Sequence, residues 1–217
     1  MTRNRYLPAL RFRALTRFFD PLISRGLPEQ RFKQRLLEQA APEPGQRVLD
    51  LGCGTGTLAM MVKAAQPEAE VIGLDADPDI LALARGKPEA AAAEVRFDEG
   101  LATELPYEDR SFDRVLSSLF FHHLTGAEKR GTAVEIARVL RPGGELHVGD
   151  WGRPSDPLMW ALFVGTFRLF HGLERTRDNA AGALPEIFEQ GGLEGAAETD
   201  RIRTAFGTLA LYSARRL

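Results

Sequence analysis

The sequence predicts an α/β fold built on an open, doubly wound, mostly parallel sheet. Three observations carry this. Short apolar runs alternate with longer helical segments, cap and breaker residues stand at the joints, and a glycine-rich loop follows the first run directly. The runs are RVLDL (47–51), EVIGLD (70–75), EVRFD (94–98), FDRVLSSL (112–119) and ELHVGD (145–150). Near-continuous apolar strands, rather than alternating ones, suit a parallel sheet covered on both faces.

The first helix candidate, 57–66, opens straight from the glycine loop. The second, 78–86, has Asp77 placed to cap it and Pro78 at its first helical position. The third, 127–140, is expected to end at Arg141, because Pro142 cannot continue a helix and glycines follow. PLMWALFVGTFRLFHGL (157–173) is strongly apolar, LPEIFEQGGLEG reads as helix, glycine stop and strand, and AFGTLALYSARR (205–216) reads as a last strand. A terminal hairpin-like pair brings the sheet to seven strands. The expected division is an N-terminal helical arm or cap over 1–44 and a single domain over 45–217.

A chain of 217 residues with 44% hydrophobic and 27% charged residues is ordinary for a globular protein with one full core. A net charge of −2 gives no global field for nucleic acid, and a nucleic-acid partner is not expected. Residues 1–35 differ, with nine Arg/Lys against Asp20 and Glu29. In this arm Phe12, Leu15, Phe18, Phe19 and Leu22 share one helical face, with Arg13 and Arg17 opposite. Two readings stand: a cap closing a pocket, or a basic amphipathic helix resting on a membrane through residues 1–25. The lone Cys53 allows no internal disulfide, no Cys/His cluster has metal spacing, and no stretch of eighteen apolar residues occurs. A cytoplasmic location, with at most peripheral membrane contact, is the expectation.

In an open α/β sheet, ligands bind beyond the carboxyl ends of the strands where strand order reverses. There the chain reads Gly52-Cys53-Gly54-Thr55-Gly56. Glycines permit positive φ and let a ligand touch the backbone. The helix behind them aims free N–H groups at a carboxylate or phosphate. A phosphate loop would end Gly-Lys-Ser/Thr, but Thr57 and Leu58 follow Gly56. A nicotinamide loop reads G-x-G-x-x-G, whereas this one reads G-x-G-x-G, and no Tyr-x-x-x-Lys pair exists. An adenosine ligand without phosphates remains. Asp75, at the tip of the second strand, suits the two hydroxyls of its ribose. The loop taken alone also fits a tight turn with no ligand.

VLDLGCGTG, VIGLDADPDIL, LPYEDRSFDRVLSSLFFHHL and RVLRPGGEL resemble successive motifs of class I S-adenosylmethionine-dependent methyltransferases, in particular the branch that includes ubiquinone/menaquinone C-methyltransferases. The resemblance covers about residues 45–150. It implies a Rossmann-like methyltransferase fold with an N-terminal helical cap, S-adenosyl-L-methionine as cofactor, and methyl transfer to a small acceptor. It further implies that Asp50, Gly52, Cys53, Gly54, Thr55 and Gly56 surround the methionine portion, that Asp75 holds the ribose and that Ala76 lies against adenine. Ser117, Ser118 and Leu119 would line the methionine side, and the RPGG turn (141–144) would be a structural bend. Leu101 stands where relatives carry an acid facing the adenine amino group; Ala102 retains a backbone contact there, and Asp98 is the nearest substitute acid. Phe19-Asp20 stands where many relatives have Tyr-Asp.

A sulfonium methyl donor has an excellent leaving group, so the protein mainly orients and desolvates the acceptor. A base is needed chiefly for a hydroxyl or an acidic carbon. His122 and His123, after the fourth strand, and Asp150, at the tip of the fifth, are the candidates. One histidine would face the acceptor and the other pack or face solvent. Each of the three also has a plain structural reading. Trp151 reads as wall, His147 and Cys53 as packing residues, and His171 has no partner in the pattern. The apolar arm and the 157–173 segment point to an apolar acceptor, of quinone, phenol or lipid-like character. The competing reading is a non-catalytic binding or assembly protein of the same fold, which Leu101 and Phe19 favour and the intact loop with Asp75 opposes.

Overall fold

The computed structural model describes residues 29–87, 94–170, 173–205 and 207–217. The amphipathic arm, Phe19-Asp20 and His171 lie outside the described residues.

Helix α1 (Glu29–Ala40) precedes strand β1 (Arg47–Leu51); α2 (Thr57–Ala65), β2 (Glu70–Asp75), α3 (Pro78–Arg85), β3 (Val95–Glu99) and β4 (Phe112–Ser118) follow. After a short 3-10 turn (Phe121–His123) come α4 (Gly126–Val139), β5 (Leu140–Trp151), α5 (Pro157–Phe170), α6 (Leu173–Ala181), α7 (Leu184–Gln190), β6 (Glu194–Thr204) and β7 (Gly207–Arg215). The seven strands form one sheet in the order β3-β2-β1-β4-β5-β7-β6. The strands from β3 across to β5 pair in parallel, and β7 is antiparallel to both of its neighbours. The order reverses between β1 and β4, which puts the switch point beside the glycine loop.

Side-chain alternation splits the core into two layers. Val48, Val71 and Leu116 face one side with Phe32 and Leu36 of α1, Leu58 and Val62 of α2 and Leu81 of α3. Leu49, Leu51, Ile72 and Val115 face the other side with Ala133 and Ile136 of α4 and Leu184 and Phe188 of α7. Phe32 lies over Gly149, so close that a β-carbon there would stand 2.6 Å from its ring. That contact seats α1 on β5.

The joints follow local chemistry. The Asp77 carboxylate accepts from the Asp79 and Ile80 amides with Pro78 behind it, as expected from sequence. Thr125 and Glu128 form a reciprocal capping box at the start of α4. One joint corrects the sequence reading. The helix ends at Val139, not Arg141, and β5 begins at Leu140 instead of Glu145. Pro142 disfavours helical backbone at Arg141, so Leu140 is already extended, with φ −69° and ψ 139°. The RPGG segment is therefore the irregular first part of β5, with a register shift opposite Phe112–Arg114 and the Gly143 amide donating to the Arg216 carbonyl at 2.7 Å.

Candidate functional site

The glycine loop leaves β1 at Leu51 and enters α2 at Thr57. Gly52, Gly54 and Gly56 all have positive φ, at 70°, 54° and 72°. Their surroundings differ. A β-carbon on Gly52 would fall 2.3 Å from the Phe120 ring, and one on Gly56 2.5 Å from the Phe97 ring. Gly54 has nothing within 4 Å. Two make room for the protein's own aromatic rings, and Gly54 alone opens outward.

Phe120 reaches Gly52 because Leu119, just past β4, adopts φ 57°, unusual for a branched residue and costly by roughly 1 kcal/mol. Its amide donates to the Gly149 carbonyl at 2.8 Å, which holds the turn against β5.

Gly56 brings no capping side chain to α2. Asp50 serves instead from within β1: its Oδ2 accepts from the Ala59 amide at 2.9 Å. Burial pushes the Asp50 carboxyl up to about 7, with the Lys33 charge and the Ala59 amide opposing and Asp75 adding to the rise. At the tip of β2, Asp75 Oδ2 accepts from the Gly54 amide at 2.9 Å and Oδ1 from the Asp77 amide at 3.0 Å. Burial raises this carboxyl too, against those amide bonds. Lys87 donates to the hydroxyls of Thr55 (3.2 Å) and Thr57 (2.8 Å), bracing the outer side of the loop.

The other expected residues gather round the same rim. Ala76 is half-buried after Asp75, and Ala102 is buried beside an exposed Leu101. Asp98, the substitute acid, has its carboxylate engaged by Arg96 at 2.9 Å and Tyr107 at 3.2 Å. Ser117 Oγ donates to the Leu51 carbonyl, which ties β4 to β1. Ser118 Oγ is buried without a hydrogen-bond partner. Burial drives the Cys53 thiol far above its ordinary range, which leaves it a packing group.

At the β5 end, His122 and Asp150 are both buried and form a pair. His122 Nδ1–H donates to Asp150 Oδ1 at 2.8 Å, and the His122 and Trp151 amides donate to the same carboxylate at 3.3 and 2.7 Å. An Nδ1–H held by a carboxylate assigns the basic lone pair to Nε2. His123 is exposed, its ring 4.0 Å from that of His122. The two histidines thus differ, one packed against Asp150 and the other at the surface. His147 is held inside β5 by Gln39 at 3.1 Å and Glu145 at 3.3 Å, and burial lowers its ring to about 4. It is structural, as expected.

Sequence reasoning missed Phe120 and Phe97, whose roles depend on distant glycines, and all of α6. It also missed Lys129, fully buried in α4. No helix among the described residues is long and apolar enough to cross a membrane, and among them no His/Cys/Asp/Glu group is placed to hold a metal.

Comparison with known proteins bears on this site. Residues 48–144 match the methyltransferase-domain family. A demethylmenaquinone methyltransferase of Thermus thermophilus is 43% identical over 172 residues, 77% of each chain. An uncharacterized methyltransferase of Synechocystis is 39% identical over 142 residues, 64% of each chain, so the match spans less than two thirds of that relative. Among solved structures, an O-methyltransferase-like protein of Nostoc punctiforme shares the fold with TM-score 0.71 at 20% identity, over 91% of this chain and 59% of that one.

Proposed function

This chain belongs to the class I S-adenosylmethionine-dependent methyltransferases, in the branch of the demethylmenaquinone and ubiquinone/menaquinone C-methyltransferases. From that premise we propose that it methylates a small apolar acceptor of hydroquinone or phenol type, using S-adenosylmethionine. The observation that carries the proposal is Asp75, fixed at a strand tip beside the outward-open Gly54 and the start of α2, where Gly56 brings no side-chain cap.

The residues present fit such a cofactor. The α2 N-terminus offers N–H groups to a carboxylate, Asp75 offers oxygens to ribose hydroxyls, and Ala76, Leu101 and Ala102 offer apolar surface to a purine. When bound, the cofactor supplies an electrophilic methyl on a sulfonium. Asp75 and the loop hold the donor side, Ser118 brings an unpaired hydroxyl to the same rim, and His122 Nε2 takes the acceptor's O–H proton. With that proton held by His122, electron density would rise on the acceptor's ring carbon, the atom to be methylated, whose own C–H proton would leave to solvent as the ring regains aromaticity. Supporting an apolar acceptor, α5 leaves Leu158 and Trp160 more than half exposed just past the β5 end.

The test is a calorimetric titration with S-adenosylmethionine and its demethylated product, followed by turnover with a short-chain prenylated 1,4-naphthohydroquinone. Saturable binding and a product heavier by one methylene are expected. Binding with turnover only of polar acceptors would overturn the acceptor class; no binding would overturn the whole proposal.

Asp50 gives a further expected result. Because its carboxyl is raised to about 7 from an ordinary 3.8, the folded protein holds an extra proton between those values. Stability therefore falls as pH rises through that window. A ligand ammonium near Asp50 favours the carboxylate, so binding expels the proton. Affinity should rise up to about tenfold per pH unit below 7 and then level off. Calorimetry at pH 6.5 in buffers of different ionisation heat should show net proton release, abolished in Asp50→Asn.

A further inference from the structure

Lys129 shows no side-chain surface, yet it carries a charge. A buried ammonium persists only where charge and hydrogen bonds compensate its lost hydration. Its Nζ donates to the Arg175 carbonyl of α6 at 2.6 Å and lies 3.4 Å from Asp178 Oδ2. Burial weakens its hold on the proton, and Asp178 and then Asp150 partly oppose that effect, so the ammonium lies within electrostatic reach of Asp150. From the same helix, the Arg175 guanidinium donates to the His123 carbonyl at 2.5 Å and the Asn179 amide to the Trp151 carbonyl at 3.0 Å. Helix α6 thus joins α4, the 3-10 turn bearing His122 and the tip of β5 bearing Asp150, and Lys129 is its attachment to α4.

We propose that Lys129 is a positioning residue for the His122–Asp150 pair: it anchors α6 across the pair, and its positive charge balances the buried Asp150 and opposes a second positive charge on His122. Around the pair, Asp150 comes from β5 and the His123 ring lies 4.0 Å from that of His122 on the same turn, while Arg175 of α6 donates to the His123 carbonyl and Lys129 of α4 bears electrostatically on Asp150. Among them Lys129 is the fully buried cation. The functional consequence rests on the methyltransferase reading above; the electrostatic one does not.

The experiment compares wild type, Lys129→Met, Lys129→Gln and Lys129→Arg. Titration of the His122 ring is followed by NMR in the ligand-free protein. Removing the charge should move its midpoint upward by roughly one unit, whereas arginine should leave it in place. Glutamine keeps a donor for the Arg175 carbonyl without the charge, so it separates charge from tether and carries the comparison if the methionine variant does not fold. With the prenylated naphthohydroquinone as probe, the acid limb of the pH–rate profile should move with the NMR midpoint. The variants should then lose about tenfold more rate at pH 6 than at pH 8.5, with KM little changed. A His122 titration unmoved in a folded Met or Gln variant overturns the proposal and leaves Lys129 a packing residue. If wild type binds no cofactor and methylates nothing, the functional reading falls, and the NMR comparison still decides the role of Lys129.

Discussion

Replacing Asp75 by alanine should weaken S-adenosylmethionine binding by about a hundredfold or more, the effect of losing charge-assisted hydrogen bonds in a half-buried site. Two effects combine. The carboxylate is the acceptor proposed for the ribose hydroxyls, and it also shapes the loop, since Gly54 and Asp77 both donate to it. Alanine removes acceptor and anchor together, so the melting temperature should fall by several degrees as well. Asp75→Asn separates the two. Its single carbonyl oxygen can keep one of the amides, so its stability should lie nearer wild type while its affinity stays low. Calorimetry on both variants is the check. Affinity within about threefold of wild type in Asp75→Ala would remove the ribose role and leave a loop anchor alone.

Much of the architecture was legible because local and global signals agree. Arg47–Leu51 and Glu70–Asp75 are apolar runs closed by short polar tips, and the structure keeps both bounds. Asp77-Pro78 names its own helix start. The doubly wound, mostly parallel sheet followed from the alternation of runs and helices, with the closing pair set apart as a hairpin. What could not be read depends on contacts between residues far apart in the chain. The glycine loop shows this best. From sequence, all three glycines point to a ligand. In space Gly52 and Gly56 are small because Phe120 and Phe97 occupy the room beside them. Lys129 is the same case on a helix. Between Glu128 and Arg130 it reads as one residue of a solvated face, and only the packing of α6 buries it. The RPGG segment failed differently. Proline was correctly taken as a helix breaker, but its effect on the preceding residue starts the strand earlier than the breaker itself suggests.

Asp150→Asn should lower kcat by on the order of a hundredfold or more while leaving cofactor affinity within about twofold. The reason is tautomeric. Asp150 Oδ1 now receives Nδ1–H of His122, and Oδ2 receives the His122 amide. The asparagine amide would offer N–H where the ring also offers N–H. Relief comes if the ring moves its proton to Nε2, and the nitrogen proposed to act as base then has no lone pair to use. Keeping the ring proton on Nδ1 instead needs the asparagine oxygen at the Oδ1 position, where it also serves the Trp151 amide, and leaves the His122 amide at the Oδ2 position facing an N–H, a loss of about 1–3 kcal/mol in a buried site. In the first arrangement the base loses its lone pair, and in the second it loses the buried carboxylate charge that stabilises the protonated ring, so the fold survives and the base is weakened in both. A folded variant with unchanged cofactor affinity and kcat within about threefold of wild type would reduce the pair to a tie between the 3-10 turn and β5. In that case the exposed His123, at the same rim, becomes the residue to replace next.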